Sequence, residues 1–333
     1  MSEVTDLRSM AAVEDTTEAE HLSPGQKAWR RFRNNGPAFV SAWILAVIML
    51  IILGWPIALK LMSWSGPRGV EIYKTYQPET LSDDQFQPPG RRHWFGTDVH
   101  GRDLLSRVLY GAQISLLVGI VGAAVSLVIG VLWGAVAGYA GGRLDSAMMR
   151  FVDVLYSLPS IIFVIVLITT LEGAVKNWLS AAGSPSLVKS ARLLFLFVGL
   201  GAVSWLTMAR IVRGQVLSLR QRPFVEASRA LGAGPAHILA RHIIPNTLGV
   251  VIVYLTLTVP AIILYESFLS YLGLGIQPPM ASWGSLIAEG AEQMNPIRIY
   301  WWLIAFPGAF LVTTLLALNF IGDGLRDAWD VRA

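Results

Sequence analysis

Six long apolar stretches, separated by shorter polar segments, dominate the pattern of this chain. They cover residues 37–59, 112–138, 148–171, 193–211, 248–275 and 300–321. About 20 consecutive apolar residues are enough for one α-helix to cross the hydrocarbon core of a bilayer. The pattern therefore predicts an all-α membrane protein with six transmembrane helices, whose two termini lie on the same side of the membrane.

The polar segments divide the chain into five parts. We predict an N-terminal tail, a first transmembrane helix, a long loop, a core of five helices and a C-terminal tail. These parts cover residues 1–36, 37–59, 60–111, 112–321 and 322–333. Within the core, a polar loop at 214–246 falls on the same side as the two tails.

The distribution of Lys and Arg sets the orientation of these segments. Apart from the long loop 60–111, the side with the tails carries fifteen of them and the opposite side carries four. Short cytoplasmic segments of membrane proteins carry an excess of these residues. Both termini and the loop 214–246 are therefore expected in the cytoplasm, and the loop 60–111 is expected outside.

The composition agrees with a membrane protein and excludes other classes. Hydrophobic residues make up 54% of the chain, charged residues make up 14%, and the mean hydropathy is +0.54. Soluble domains carry about 25% charged residues. A net charge of +4 gives no reason to expect nucleic acid as a partner, and the absence of cysteine excludes disulfides and thiol chemistry.

Close packing and kinks are predicted within the spans. Gly130, Gly134 and Gly138 leave one face of the second span almost without side chains, which allows another helix to approach closely. Pro159 and Pro307 lie inside the third and sixth spans, where each removes a backbone hydrogen bond and permits a kink.

The loop 214–246 has the pattern of two short helices joined by a turn. Pro223 suits the first position of a helix, where no N–H is needed, and Gly232 supplies a stop. Between them, small and apolar residues recur at helical spacing at Phe224, Ala227, Ser228 and Leu231. The second short helix is predicted to end at Pro245, because proline cannot continue a helix.

A sequence motif within this loop suggests its function. It consists of a Glu-Ala-small triplet, three intervening residues, a glycine and a distal Pro-Asn pair, at Glu226, Ala227, Ser228, Gly232, Pro245 and Asn246. This order resembles the cytoplasmic EAA loop of binding-protein-dependent ABC importer permeases. The resemblance implies that these residues, with His242, couple the chain to an ATPase subunit through a helix that docks in a groove. Residues 214–246 are therefore named the coupling loop. Ser228 departs from the family pattern, because it replaces the usual second alanine.

Four further segments extend the resemblance to about residues 25–333. They are 93–111, 138–145, 270–284 and 319–327. Within the family, the run 209–215 and the tail residues 322–327 resemble the C-type subunit of oligopeptide and dipeptide permeases. One difference is the connection at 172–190, which looks longer than the family's usual loop.

This resemblance implies a fold, a location and partners. The fold is that of a type I ABC importer permease in the bacterial cytoplasmic (inner) membrane, forming half of a translocation pathway for peptides. The implied partners are a second homologous permease, two ATP-binding cassette ATPases and an extracytoplasmic peptide-binding protein. Nickel chelates or another small oligomer stay open as substrates, because no residue of the spans dictates peptides.

Catalytic and metal-binding motifs are not found in the sequence. A P-loop requires a lysine directly after a glycine, and none of the five lysines follows one. His93, Asp98, His100 and Asp103 match no standard metal spacing, and we expect Thr97 or Asp98 to cap a helix instead. The chain is therefore predicted to be no enzyme and to hold no cofactor, with ATP and Mg bound by the partner ATPases.

Two carboxylates lie within the predicted spans. Asp153 is explained by a local pair with Arg150, three residues away. Glu266 lies in the fifth span after Pro260, and this proline permits a kink. Glu266 and Pro260 are therefore candidates for the pathway. Two isolated carboxylates make a poor proton relay, which argues against an ion-coupled secondary carrier.

A DNA-binding helix-turn-helix in the coupling loop is also disfavoured, because residues 236–240 are mostly Ala, Ile and Leu.

Overall fold

Helices account for most of the chain that the computed structural model describes, which is residues 24–181 and 185–329. In chain order the α-helices are α1 Pro24–Asn34, α2 Gly36–Ser63, α3 Pro67–Thr75, α4 Leu104–Ala140, α5 Gly142–Tyr156, α6 Ser160–Ala181, α7 Pro185–Leu219, α8 Pro223–Ala230, α9 Pro235–Ile238, α10 Ile244–Tyr271, α11 Trp283–Glu292 and α12 Trp302–Trp329. One turn of π-helix, Leu239–Ile243, joins α9 to α10.

Several of these helices are long and apolar enough to cross a membrane. In the described part of the chain they are α2, α4, the helix Pro235–Tyr271 and α12, and the bent pair Gly142–Tyr156 and Ser160–Leu167 forms a fifth candidate. The predicted fourth span, 193–211, lies within α7, which is not among these candidates. The all-helical membrane fold is confirmed, whereas the count of six spans stays a prediction.

The predicted third span, 148–171, is not one straight helix. α5 ends at Tyr156, α6 begins at Ser160, and the two helices are bent by 90°. Pro159 lies in the break, where it has no N–H to continue the hydrogen bonding of α5. The kink predicted at this proline is therefore a full interruption between two helices.

Close contact between α4 and α7 confirms the predicted glycine face. A Cβ atom added at Gly130 would lie 2.6 Å from the Cβ of Met208, and one at Gly138 would lie 2.9 Å from a carbonyl oxygen of α7. A Cβ atom at Gly134 would collide with the carbonyl oxygen of Ala209. Since these distances are too short for any side chain, the glycines allow the two backbones to touch.

The N-terminal end of α4 is capped differently from the prediction. α4 begins at Leu104, and the carboxylate of Asp103 caps it by accepting a hydrogen bond from an N–H of the first turn at 2.9 Å. Asp98 instead accepts a hydrogen bond from the guanidinium of Arg107 at 2.7 Å. Thr97 donates its hydroxyl to a loop carbonyl, so neither of the predicted residues is the cap.

The two ends of the predicted loop 172–190 are helical. α6 continues to Ala181 and α7 begins at Pro185, while residues 182–184 lie outside the described residues. The loop is therefore shorter than the apolar pattern suggested, because the helices extend beyond the predicted spans.

The predicted N-terminal tail contains a helix that packs on the other end of the chain. Ala28 and Phe32 of α1 are buried against Ala328 of α12. Asn35, which follows α1, caps α2 and also donates a hydrogen bond to Asp327 at 3.4 Å. Part of the tail is therefore structured, while residues 1–23 lie outside the described range.

Candidate functional site

Three buried aliphatic side chains hold the coupling loop against the helices. Val225, Ile238 and Ile243 are fully buried and belong to one cluster with Val212 and Val216 of α7. Full burial of one such side chain contributes about 1.5–3 kcal/mol relative to exposure. The two halves of the loop are therefore fixed in orientation relative to α7.

The turn after α8 has the geometry that the sequence predicted. The N–H of Gly232 donates to the carbonyl of Arg229 at 3.0 Å, and the N–H of Ala233 donates to the carbonyl of Ser228 at 3.1 Å. This pair of hydrogen bonds is a Schellman motif, which requires a left-handed residue after the helix. Gly232 has a φ of +85° and supplies that conformation without the steric cost of a side chain.

The outer face of α8 combines apolar side chains with a carboxylate. Leu231 is 88% exposed and Phe224 is 41% exposed. Glu226 and Ala227 are exposed as well. Phe224, Ala227 and Leu231, whose spacing predicted a helix, are therefore exposed, and Val225 is the buried residue of α8. The outward side of this helix and its turn thus offers two large apolar side chains and a carboxylate.

The second half of the loop does not end at Pro245. The N–H of Ile244 donates to the carbonyl of Leu239, five residues back, within the π-helical turn. Pro245 follows that turn, and the helix runs on into α10. In a regular α-helix the ring of Pro245 would collide with the carbonyl four residues earlier, and the wider π-turn avoids this collision. The predicted helix end at Pro245 is therefore wrong.

His242 and Asn246 lie where the two halves of the loop meet. The side-chain amide of Asn246 donates to the carbonyl of His242 at 2.6 Å. The ring of His242 lies 6.5 Å from that of Phe224 and 5.9 Å from that of His237. The fold thus brings the ring of His242 next to α8.

A cavity of about 460 Å³ opens between the α5–α6 break, α7 and α10. The fourteen described residues that line it are all uncharged, and half of them carry hydroxyl groups, namely Tyr156, Ser160, Ser204, Thr207, Tyr254, Thr258 and Tyr265. Such a wall offers hydrogen bonds without holding a charged ligand strongly. The sequence contained a signal for it, because Tyr254, Thr258 and Tyr265 recur at helical spacing, but the prediction did not use it.

Comparison with known proteins identifies the family. Residues 130–333 match the family described as "Binding-protein-dependent transport system inner membrane component". The chain belongs to this family. Residues 23–89 match a second model, "N-terminal TM domain of oligopeptide transport permease C". The chain is therefore a permease subunit of an ABC importer and an integral inner-membrane protein, not an enzyme, and such a subunit works with ATPase and substrate-binding partners.

Relatives match the permease along most of its length. The oligopeptide transport system permease protein OppC of Escherichia coli (strain K12) is 44% identical over 313 residues, which cover 94% of this chain and 93% of that protein. The dipeptide transport system permease protein DppC of Bacillus subtilis (strain 168) is 40% identical over 316 residues, covering 95% and 88%. A solved structure of the MetNI methionine ABC transporter in inward-facing conformations has a TM-score of 0.48 and 19% identity, covering 66% of this chain and 94% of that chain.

Glu266 of the permease is buried among hydroxyl groups rather than on the cavity wall. Its carboxylate accepts hydrogen bonds from Ser270 at 2.6 Å and from Ser115 at 3.2 Å. Ser115 also accepts the N–H of Trp283 at 3.2 Å, so the cluster joins α4, α10 and α11. Pro260 is buried inside α10, which continues past it. The role of both residues in the pathway stays a prediction.

The other membrane carboxylate has a different partner from the predicted one. Asp153 accepts a hydrogen bond from Arg210 of α7 at 2.7 Å, so the predicted local pair with Arg150 is wrong. Arg210 is 57 positions away in sequence, and only the packing of α5 on α7 brings the two together.

Candidate metal ligands in the loop before α4 form ion pairs. Arg107 donates to Asp98 at 2.7 Å and to both carboxylate oxygens of Glu289 at 2.6 and 3.0 Å. His93 lies 2.9 Å from Asp103, and burial raises the pKa of that carboxyl. In the part of the chain that the structure describes, no three His, Cys, Asp or Glu side chains could hold a metal ion together. Through Arg107, the ion pairs instead join α4 and the loop that precedes it to α11.

Proposed function

We propose that this permease imports oligopeptides or dipeptides, driven by ATP hydrolysis on partner subunits. The observation that carries the proposal is the 44% identity with an oligopeptide permease over 94% of the chain. The neutral, hydroxyl-rich cavity agrees with it, because a pathway for peptides of many sequences should not bind one side-chain charge strongly.

The cavity also supports a heteromeric assembly. α5, α6, α7 and α10 provide its lining, and a conduit across a bilayer needs protein on all sides, since lipid cannot satisfy polar groups. A second homologous permease would complete the pathway. Each permease would place one coupling loop on one of two ATPases, which bind ATP and Mg, while an extracytoplasmic binding protein delivers the peptide.

We propose that the exposed face of α8 is the surface that meets the ATPase. Phe224 and Leu231 offer apolar area, and Glu226 offers a charge for a basic residue of the partner. His242, Pro245 and Asn246 support this face from the second half of the loop.

A charge placed in the cavity should change the selectivity of transport. Ala261→Glu adds a carboxylate to a wall whose described residues are uncharged, and Ala261→Gln adds nearly the same volume without charge. With the complete complex in proteoliposomes, Ala261→Glu should lower uptake of acidic peptides relative to basic ones by about tenfold, which corresponds to about 1.4 kcal/mol of repulsion. Ala261→Gln should leave that ratio unchanged.

The same assay tests the substrate class. Wild-type proteoliposomes should take up labelled dipeptides to pentapeptides only when ATP is present on the side of the membrane where the ATPases lie. Uptake of a nickel chelate without uptake of any peptide would contradict the proposal.

Both termini and the coupling loop should lie in the cytoplasm. Because the chain has no cysteine, Glu79→Cys and Ser218→Cys each introduce a single thiol at an exposed position. A membrane-impermeant thiol reagent added to intact cells should label Glu79→Cys only, and both variants should react after the membrane is opened. Labelling of Ser218→Cys alone in intact cells would invert the topology.

A further inference from the structure

Helix α5 lies between the coupling loop and the cavity. It begins next to the end of α4 and ends at Tyr156, which lines the cavity at the 90° break. Only Asp145 and Val152 of its fifteen residues are buried. Val152 packs against Trp205, Leu206 and Ala209 of α7. This small apolar contact and the polar contacts described below together hold α5 on α7.

The coupling loop touches the turn that leads into α5. The guanidinium of Arg229, in α8, lies 5.5 Å from the centre of the Tyr139 ring, within the range of a cation–π contact. Arg220, which follows α7, donates a hydrogen bond to the carbonyl of Gly138 at 3.1 Å. A displacement of α8 would therefore act directly on the α4–α5 turn.

Two ion pairs connect α5 to α7. Arg213 donates two hydrogen bonds to Asp145 at 2.6 and 2.7 Å, in the parallel arrangement that fixes both direction and distance. Arg210 donates to Asp153 at 2.7 Å and stacks over Tyr156 at 4.1 Å. The two carboxylates are about 12 Å apart along the helix, so α5 is held near both ends.

The far end of α5 forms part of the cavity wall. Tyr156 and Leu158 line the cavity together with Ser160 at the start of α6. Movement of α5 as a rigid rod would shift these side chains relative to Tyr254 and Tyr265 on α10.

We propose that α5 transmits movement of the coupling loop to the cavity wall, and that Tyr139, Asp145 and Arg229 are positioning residues for transport. This inference rests on the proposed function of the loop and of the cavity. ATP-driven displacement of α8 is passed through Arg229 and Tyr139 to the α4–α5 turn. Because the loop is anchored on α7 by buried side chains, α7 moves with it. The Asp145–Arg213 pair makes α5 follow α7, so that the displacement reaches the break at Tyr156.

The test separates coupling from catalysis by the ATPases. The complete complex would be prepared with Asp145→Asn or Tyr139→Leu, and with Arg143→Gln as the control, because Arg143 is exposed on the same helix. Peptide transported per ATP hydrolysed should fall about tenfold in the first two variants, within the usual range of coupling between sites. Basal ATP hydrolysis and assembly should match wild type in both variants, and the control should match wild type in every measurement.

Charge reversal gives a second, independent measurement. Asp145→Arg and Arg213→Asp alone should each lower transport per ATP, and the double variant should restore most of it, because the ion pair is re-formed with opposite polarity. An unchanged ratio of transport to hydrolysis in every variant would overturn the proposal. So would a joint decrease of stability, hydrolysis and transport with no rescue in the double variant, since α5 would then be only structural.

Failure of the proposed function would look different. In that case the wild-type complex would transport no peptide, or Glu226→Ala in the coupling loop would keep full coupling. If Glu226→Ala uncouples transport while all α5 variants stay coupled, the loop is the ATPase contact and the α5 proposal alone is refuted.

Discussion

Replacing Gly232 with leucine should abolish the stimulation of ATP hydrolysis by substrate in the reconstituted complex, while the protein stays in the membrane. Gly232 has a φ of +85°, where an L side chain costs about 1–2 kcal/mol. No atom lies within 4 Å of an added Cβ, so the effect comes from the backbone and not from crowding. Loss of the Schellman turn would redirect the exposed face that carries Phe224 and Leu231.

Two further variants make this result specific. Gly232→Asn should keep most of the stimulation, because asparagine tolerates the left-handed conformation better than other residues with side chains. Glu226→Ala should lose the stimulation without changing the fold of the loop, since the carboxylate is exposed. Full stimulation in both Gly232→Leu and Glu226→Ala would rule out this loop as the contact with the ATPase.

Replacing Gly134 with leucine should prevent assembly of the permease core. A Cβ atom at this position would collide with the carbonyl oxygen of Ala209 and lie 2.9 Å from the Cβ of Val212. Overpacking typically costs about 1–3 kcal/mol, and here the obstacle is backbone that cannot rotate away. α4 and α7 would have to separate, which would also disturb the cavity and the attachment of α5.

The matched control places the same side chain on another apolar helix. Gly54 of α2 has no atom within 4 Å of an added Cβ, so Gly54→Leu should behave as wild type. Purification through a tag on one ATPase, followed by mass measurement and thermal unfolding, compares the two variants. Equal recovery of the complex for Gly134→Leu and Gly54→Leu would show that the glycine face is not needed for assembly.

Local chemistry made several features of the site predictable. α8 begins at Pro223, a position where no N–H is needed. The turn after α8 uses Gly232, because glycine has no Cβ and adopts the left-handed conformation easily. The spacing of Gly130, Gly134 and Gly138 by four residues places them on one helix face, and that face does meet α7. Each of these predictions depended on one residue's conformational limits or on the helical repeat.

Other features depended on neighbours that are distant in sequence. The same proline chemistry that begins α8 did not end the helix at Pro245, because the preceding π-turn accommodates the ring. The helical spacing of the apolar residues around α8 did not show where their side chains point, and Leu231, directly after α8, faces outward. Helical spacing shows which residues share a face, and only packing decides whether that face meets this chain, a partner or water.

The sequence by itself determined the helical membrane architecture and the turn at Gly232, because hydrophobic length and backbone limits act locally. The tertiary structure alone decided which charges meet. Asp153 binds Arg210 rather than Arg150, and Arg107 binds Glu289, 182 positions away, because ion pairs depend on distances between packed helices. The sequence lists the charged and hydroxyl groups, but packing decides which of them hold α5, line the cavity or face a partner.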